Sequence, residues 1–242
     1  MLKIVIADSY DQVSEEAFKI MRQVVEKENP VLGLATGSTP VGLYKKMIAD
    51  HKTNGTSYKN AITFNLDEYV GLPRNHEQSY YTFMHDNLFN EIDVPEENIH
   101  IPNGEADDPE AECVRYESEM AKYVVDVQIL GIGSDGHIAF NEPGAAFDSL
   151  THTMELTEQT RKDNARFFGG DIEQVPTLAI TQGLGTIMRA KKIILIATGA
   201  NKADAVYGMI KGPKTTECPA SILQDHPDVT VILDEEAAAK IK

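Results

Sequence analysis

The sequence predicts an α/β fold: a Rossmann-like, mostly parallel sheet with helices on both faces. Apolar runs of strand length alternate with stretches of helical spacing along the whole chain, as in repeated strand–helix units. The runs are near-continuously apolar, the pattern of strands covered on both faces. The 242 residues contain no internal repeat, low-complexity tract or long linker, so residues 1–242 are expected to form one domain.

Leu2 to Ala7 reads as the first strand. Val13, Ala17, Ile20, Met21, Val24 and Val25 then fall at helical spacing, and Asn29-Pro30 ends that helix. Val31 to Ala35 is a second strand. Thr36-Gly37-Ser38-Thr39-Pro40 leads into a helix through about Asp50, with Ser38 or Thr39 expected as the N-cap and Pro40 at the first helical position. Ala61 to Leu66 is a third strand, ending on Asp67-Glu68-Tyr69. Beyond a polar loop with Pro73, the chain predicts a helix around Ser79 to Phe89 and a short strand within Asn98 to Pro102. A highly charged helix over Pro109 to Tyr123 then feeds a central strand, Val124 to Leu130. After Gly144 a polar region holds a helix from Thr157 to Phe168, stopped by Gly169-Gly170. Lys191 to Ala197 is another strand, followed by Thr198-Gly199 and a helix to Lys211. Val229 to Leu233 is the last strand, ahead of an alanine-rich terminal helix.

The formal net charge of −16 argues against nucleic acid or an anionic membrane as a partner. No apolar stretch approaches the ~20 residues of a membrane span, and the N-terminus lacks a signal-peptide core, so a cytoplasmic location is expected. Cys113 and Cys218 have neither metal-ligand nor redox spacing and read as reduced thiols.

Ligands of such sheets bind beyond the carboxyl ends of the strands, near a topological switch point, and four polar candidates fall just there. Thr36, Gly37, Ser38 and Thr39 at a helix N-terminus suit an anion such as phosphate, although the Walker A pattern is absent. Lys202 and Arg166 would add positive charge, Arg166 with a fork that matches phosphate. Taken singly, each is as well explained as a capped turn or a solvated cation. Asp67, at the end of a strand, suits a general base; a turn carboxylate is the plain alternative. The glycine-rich turn from Gly131 to Gly144 encloses Asp135, His137 and Glu142, a histidine that two carboxylates would orient near neutral pH. No paired metal-ligand motif is present, and neither a cofactor nor a metal is expected. No serine or cysteine is flanked like a nucleophile.

Two long motifs carry a resemblance. Phe64-Asn65-Leu66-Asp67-Glu68-Tyr69-Val70-Gly71-Leu72 and Gly131-Ile132-Gly133-Ser134-Asp135-Gly136-His137-Ile138-Ala139-Phe140-Asn141-Glu142-Pro143-Gly144 together strongly resemble glucosamine-6-phosphate deaminases. The likeness extends to Leu34–Pro40, Asn164–Phe168 and Thr198–Ala203, covering nearly the whole chain in order. It implies conversion of glucosamine 6-phosphate and water to fructose 6-phosphate and ammonia without a cofactor. It further implies ring opening by His137 with Asp135 and Glu142, and proton transfer from C2 to C1 by Asp67. The phosphate would lie on Thr36, Gly37, Ser38, Thr39, Arg166 and Lys202, with the Gly131 backbone close to the sugar. The segment from about Thr151 to Gly170 resembles the family's lid.

The chain departs from the longer hexameric members that N-acetylglucosamine 6-phosphate activates. Where those carry serines and basic residues after the Asn-Glu-Pro, Ala145, Ala146, His152 and Met154 stand here, and the C-terminus is shorter. A monomer without that activation is therefore expected. Two rivals remain. A 6-phosphogluconolactonase-like hydrolase shares the general fold and the Asp-Gly-His turn, but fits Asp67-Glu68-Tyr69 and Phe140-Asn141-Glu142-Pro143 less well. A sugar-phosphate-sensing domain of a transcription regulator would need a DNA-binding module that the sequence does not show.

Overall fold

The computed structural model describes residues 2–242. Strands β1 (Lys3–Ala7), β2 (Val31–Leu34), β3 (Ile62–Asn65), β5 (Ile99–His100), β6 (Val127–Leu130), β9 (Ile193–Ala197) and β10 (Val229–Asp234) form one seven-stranded sheet. Its order is β1-β10-β9-β6-β2-β3-β5, and every pairing within it is parallel. β2, β6 and β9 are buried at every position, so both faces of the sheet's centre are covered, as their unbroken apolar runs predict. The chain lays β2, β3 and β5 outward in one direction, then returns to place β6 on the other side of β2. The topological switch point therefore falls between the carboxyl ends of β2 and β6.

The helices are α1 (Tyr10–Val25), α2 (Val41–Asn54), α3 (Tyr80–Asn87), α4 (Pro109–Met120), α5 (Glu158–Asn164), α6 (Leu184–Ile187) and α7 (Ala203–Lys211). Among the described residues none is long and apolar enough to cross a membrane. Ser9, Ser79, Asp108 and Thr157 cap α1, α3, α4 and α5 through their side chains, each accepting a backbone N–H of the first turn.

Three expectations are corrected. Pro40, not Ser38 or Thr39, occupies the N-cap of α2, and no capping residue side chain bonds there. The alanine-rich C-terminal stretch forms turns instead of a helix, because Ala237 and Ala238 are fully buried and Asp234 accepts the Ala237 N–H at 2.8 Å. Tertiary packing overrides helix propensity there. The third predicted strand does not run on into Asp67. β4 (Asp67–Tyr69) belongs to a second, antiparallel sheet with β8 (Leu178–Thr181) and β7 (His152–Glu155), in the order β4-β8-β7.

Leu66 is the pivot between the sheets. Its N–H donates to Leu34 on β2 at 3.1 Å, and its carbonyl accepts from Gln182 beyond β8 at 2.7 Å. The large core packs about the parallel sheet. A smaller one joins Tyr69, Phe140, Leu156, Ala165, Phe168, Val175 and Ala179 beside the second sheet.

Candidate active site

The carboxyl ends of β2, β3, β6 and β9 surround a cavity of about 190 Å³ at the switch point. Thr36, Gly37, Ser38 and Thr39 follow β2, Asp67 follows β3, Gly131 and His137 follow β6, and Lys202 follows β9; all line it, together with Arg166. Asp135 and Glu142 do not reach its wall and stand behind His137 instead.

Asp67 opens β4 and is 6% exposed. Among the described residues no donor or cation reaches its carboxylate. Burial first, then the neighbouring Glu68 charge, pushes its pKa up to about 8. Glu68 points elsewhere: its carboxylate accepts the N–H groups of Tyr69, Tyr80 and Tyr81, each at 2.9 Å, and so anchors the start of α3. Burial raises it to about 7 against those three bonds. Through this anchor Tyr80 is held at the cavity wall, its ring 4.8 Å from Tyr69 and 6.0 Å from Phe140.

His137 hangs on a tight turn. A Cβ on Gly133 would meet the His137 ring at 2.3 Å, and Gly136, at φ +90°, faces Cys218 Sγ so closely that a Cβ would lie 2.7 Å away. Both positions need glycine. His137 Nδ1 lies 2.8 Å from Asp135 Oδ1 and 3.7 Å from Glu142 Oε2, while its backbone N–H donates to Asp135 at 3.1 Å. The Nδ1–Oδ1 contact is close but is not an aligned hydrogen bond. Burial pushes Asp135 up, but the bond to His137 and its charge outweigh it and hold the carboxyl at about 2. Glu142 is 4% exposed. Its Oε1 accepts from the Thr160 hydroxyl at 2.6 Å and from Thr157 at 3.4 Å, tying His137 to the first turn of α5. Ala139, at φ +52°, is the non-glycine residue in the left-handed region, two residues from His137.

Asp135, His137 and Glu142 are the group among the described residues compact enough to offer three metal ligands, with ligand atoms within 4.8 Å of one another. The 2.8 Å Nδ1–Oδ1 approach is tighter than the ~3.3 Å that tetrahedral ligands on ~2.0 Å bonds adopt.

The turn that leads into α2 and the turn before α7 both line the same cavity. The N–H groups of Gly37, Ser38 and Thr39 donate to no acceptor among the described residues. Neither Arg166 nor Lys202 forms a salt bridge there, in a chain whose net charge is −16. Arg166 lies over the Phe167 ring at 4.7 Å. Burial lowers the Lys202 pKa, Asp163 opposing it and Arg166 adding to it. Unpaired N–H groups, two helix starts and two free cations make an anion seat.

Several contributors were not legible in the sequence. Tyr44 donates to the Ala35 carbonyl at 2.5 Å, and Tyr10 reaches the next peptides of the same turn. Thr160 had a signal, the Thr157-x-x-Thr160 capping pattern, but nothing marked its reach to Glu142. Nothing in the sequence marks Glu68, whose helix anchor depends on a contact twelve residues away.

The chain matches the family model of glucosamine-6-phosphate isomerases/6-phosphogluconolactonase over residues 7–232. It is 52% identical over 242 residues to a glucosamine-6-phosphate deaminase of Thermoanaerobacter pseudethanolicus, spanning 99% of this chain and 95% of that one. It is 50% identical to glucosamine-6-phosphate deaminase 2 of Bacillus subtilis, spanning 100% and 98%. A solved monomeric glucosamine-6-phosphate deaminase superposes with a TM-score of 0.96 at 45% identity, spanning 98% of this chain and 99% of that one. A 6-phosphogluconolactonase of Trypanosoma cruzi shares the fold, with a TM-score of 0.81 at 22% identity over 100% and 97% of the two chains.

Proposed function

This chain belongs to the glucosamine-6-phosphate isomerase/6-phosphogluconolactonase family, and from that premise we propose that it converts D-glucosamine 6-phosphate and water to D-fructose 6-phosphate and ammonia. The observation that carries the reading is the pairing of an unpaired, buried carboxylate with an anion seat in the lining of one cavity. An acyclic sugar phosphate spans such a cavity with its C1–C2 end at Asp67 and its phosphate at the seat.

The substrate phosphate rests on the Gly37, Ser38 and Thr39 amides with Arg166 and Lys202, and the Gly131 backbone borders the sugar. Binding there places the reacting carbons without a cofactor. His137, oriented by Asp135 and Glu142, moves the proton from the C1 hydroxyl to the ring oxygen, and the pyranose opens to the aldehyde. Asp67 then takes the C2 proton while O1 takes up the proton that the C2 ammonium releases, giving the enolamine. The proton returns from Asp67 to C1 and leaves a protonated imine at C2. Water adds there, ammonia departs and the ketose forms. A carboxylate with a pKa of about 8 suits this step, since its basicity comes from poor solvation that the arriving substrate does not restore. Residues 1–242 act as one unit in this reading, as a monomer in the cytoplasm.

The test is ammonia release from glucosamine 6-phosphate, with and without N-acetylglucosamine 6-phosphate. Hyperbolic kinetics unaffected by the acetylated sugar are expected. Absence of ammonia release, with hydrolysis of 6-phosphogluconolactone instead, would overturn the reading.

A further inference from the structure

The anion seat has an outer side. Ser38 and Thr39 line the substrate cavity on one face of the turn and, with Tyr10, a shallow groove on the other. Tyr10 opens α1 and is 40% exposed, so its ring lies against the seat from outside and is no part of the cavity wall. Its hydroxyl is nonetheless fully engaged. It donates toward the Ser38 carbonyl at 2.9 Å and the Thr39 carbonyl at 3.1 Å, and accepts the Gly42 N–H at 2.7 Å.

Each bond has a consequence. The Gly42 N–H is one of the unpaired donors of the first turn of α2, where Pro40 supplies no side-chain cap. Tyr10 thus does from a neighbouring helix what Ser38 or Thr39 was expected to do locally. Gly42 leaves room for it: a Cβ there would stand 2.1 Å from Ser14 Oγ and 3.0 Å from Tyr10 Cε1. The bond to Ser38 sets a direction. In a trans peptide the carbonyl and the next N–H point opposite ways. A Ser38 carbonyl drawn outward to Tyr10 therefore turns the Thr39 N–H toward the cavity, where it has no protein acceptor.

We propose that Tyr10 is a positioning residue for phosphate: its hydroxyl clamps the Ser38–Thr39 peptides from behind and fixes the amide direction that the anion reads. The proposal rests on the Thr36–Thr39 turn being the phosphate seat. Tyr10 touches neither the sugar nor the reacting carbons, so its effect falls on binding and leaves the chemistry alone.

The experiment compares wild type, Tyr10→Phe and, as a control, Tyr207→Phe, whose ring is 48% exposed. Inorganic phosphate binding is measured by calorimetry, alongside KM and kcat for glucosamine 6-phosphate and Tm. In Tyr10→Phe the phosphate Kd and the KM should rise together by about 3- to 10-fold, as loss of one net hydrogen bond implies, with kcat within about twofold. Tyr207→Phe should change none of them. Unchanged Kd and KM overturn the proposal, as does a lower kcat at constant KM or a lower Tm with intact phosphate binding. Should Tyr10→Phe not fold, Gly42→Ala, whose Cβ would press on Ser14 Oγ and on the Tyr10 ring, should give the same rise in phosphate Kd; an unchanged Kd overturns it. Phosphate binding without ammonia release from wild type would sink the deaminase reading alone, leaving Tyr10 to be judged on the Kd. A wild type that binds no phosphate overturns both.

Discussion

Replacing Asp67 by asparagine should trade activity for stability, and the trade should depend on pH. Asp67 is buried with no cation or donor at its carboxylate, and burial together with the Glu68 charge lifts its pKa from 3.8 to about 8. Between those values the folded protein keeps a proton that the unfolded chain has released. Stability attributable to this group is therefore full below about pH 4 and is lost as pH rises through about 8. The gap is some four pH units at about 1.4 kcal/mol each, an upper bound of about 6 kcal/mol on the cost of ionising Asp67 in place. Water entry and local relaxation reduce the expected figure to about 3 kcal/mol. Asparagine has nearly the same shape and never ionises. By calorimetry, the Tm advantage of Asp67→Asn over wild type should grow as pH rises from about 4 to 8, and be about 6–12 °C larger near pH 9 than near pH 4. In the ammonia assay, kcat should fall by about 100-fold or more. The same Tm difference at both pH values would refute the unpaired buried carboxylate, and a near-wild-type kcat would remove Asp67 from the chemistry.

Three further outcomes are expected. The proposed mechanism uses Asp67 ionised, so kcat/KM should climb about tenfold per pH unit from the acid side and level off above about 8; a limb centred near 4 would contradict its burial. Arg166→Ala and Lys202→Ala should each raise KM by about tenfold with a smaller effect on kcat, and an unmoved KM in both would refute the phosphate assignment. Thr160→Val removes the 2.6 Å donor from Glu142 and should lower kcat about 3- to 10-fold with little change in KM. An unaltered kcat there would show that the link from α5 to His137 carries nothing.

The parallel sheet was legible because its strands are buried on both faces and leave uninterrupted apolar runs, such as Ile193–Ala197. The chemistry-bearing strand ends were legible for the same reason: a run that stops abruptly at Asp67, Gly131 or Thr36 marks the sheet's edge. The second sheet left no such mark. β7 carries His152, Thr153, Met154 and Glu155, only partly buried or exposed, and pairs with β8 across an insertion that includes α5. Nor could a sequence of its own accord show that Tyr10 would cap α2, since that bond spans thirty-two residues and depends on the absence of a side chain at Gly42.

The unread sheet is also what makes the readable residue useful. Had Asp67 ended β3 in a solvated loop, it would have been an ordinary carboxylate, ionised at neutral pH and a weak base. Instead Leu66, leaving β3, bonds β2 through its N–H and the Gln182 backbone through its carbonyl, and β4 pairs Asp67 with Thr181 on β8. The parallel sheet thus sets where the carboxylate stands, and the antiparallel pairing sets how dry it is. Its basicity comes from the seam between the two. The same seam presents Glu68 to the N–H groups of α3 and so brings Tyr80 to the cavity wall. Position and proton affinity are therefore one structural decision, made at Leu66. A substitution that loosens β4 from β8 should lower the pKa of Asp67 and weaken the base before it disturbs the parallel sheet.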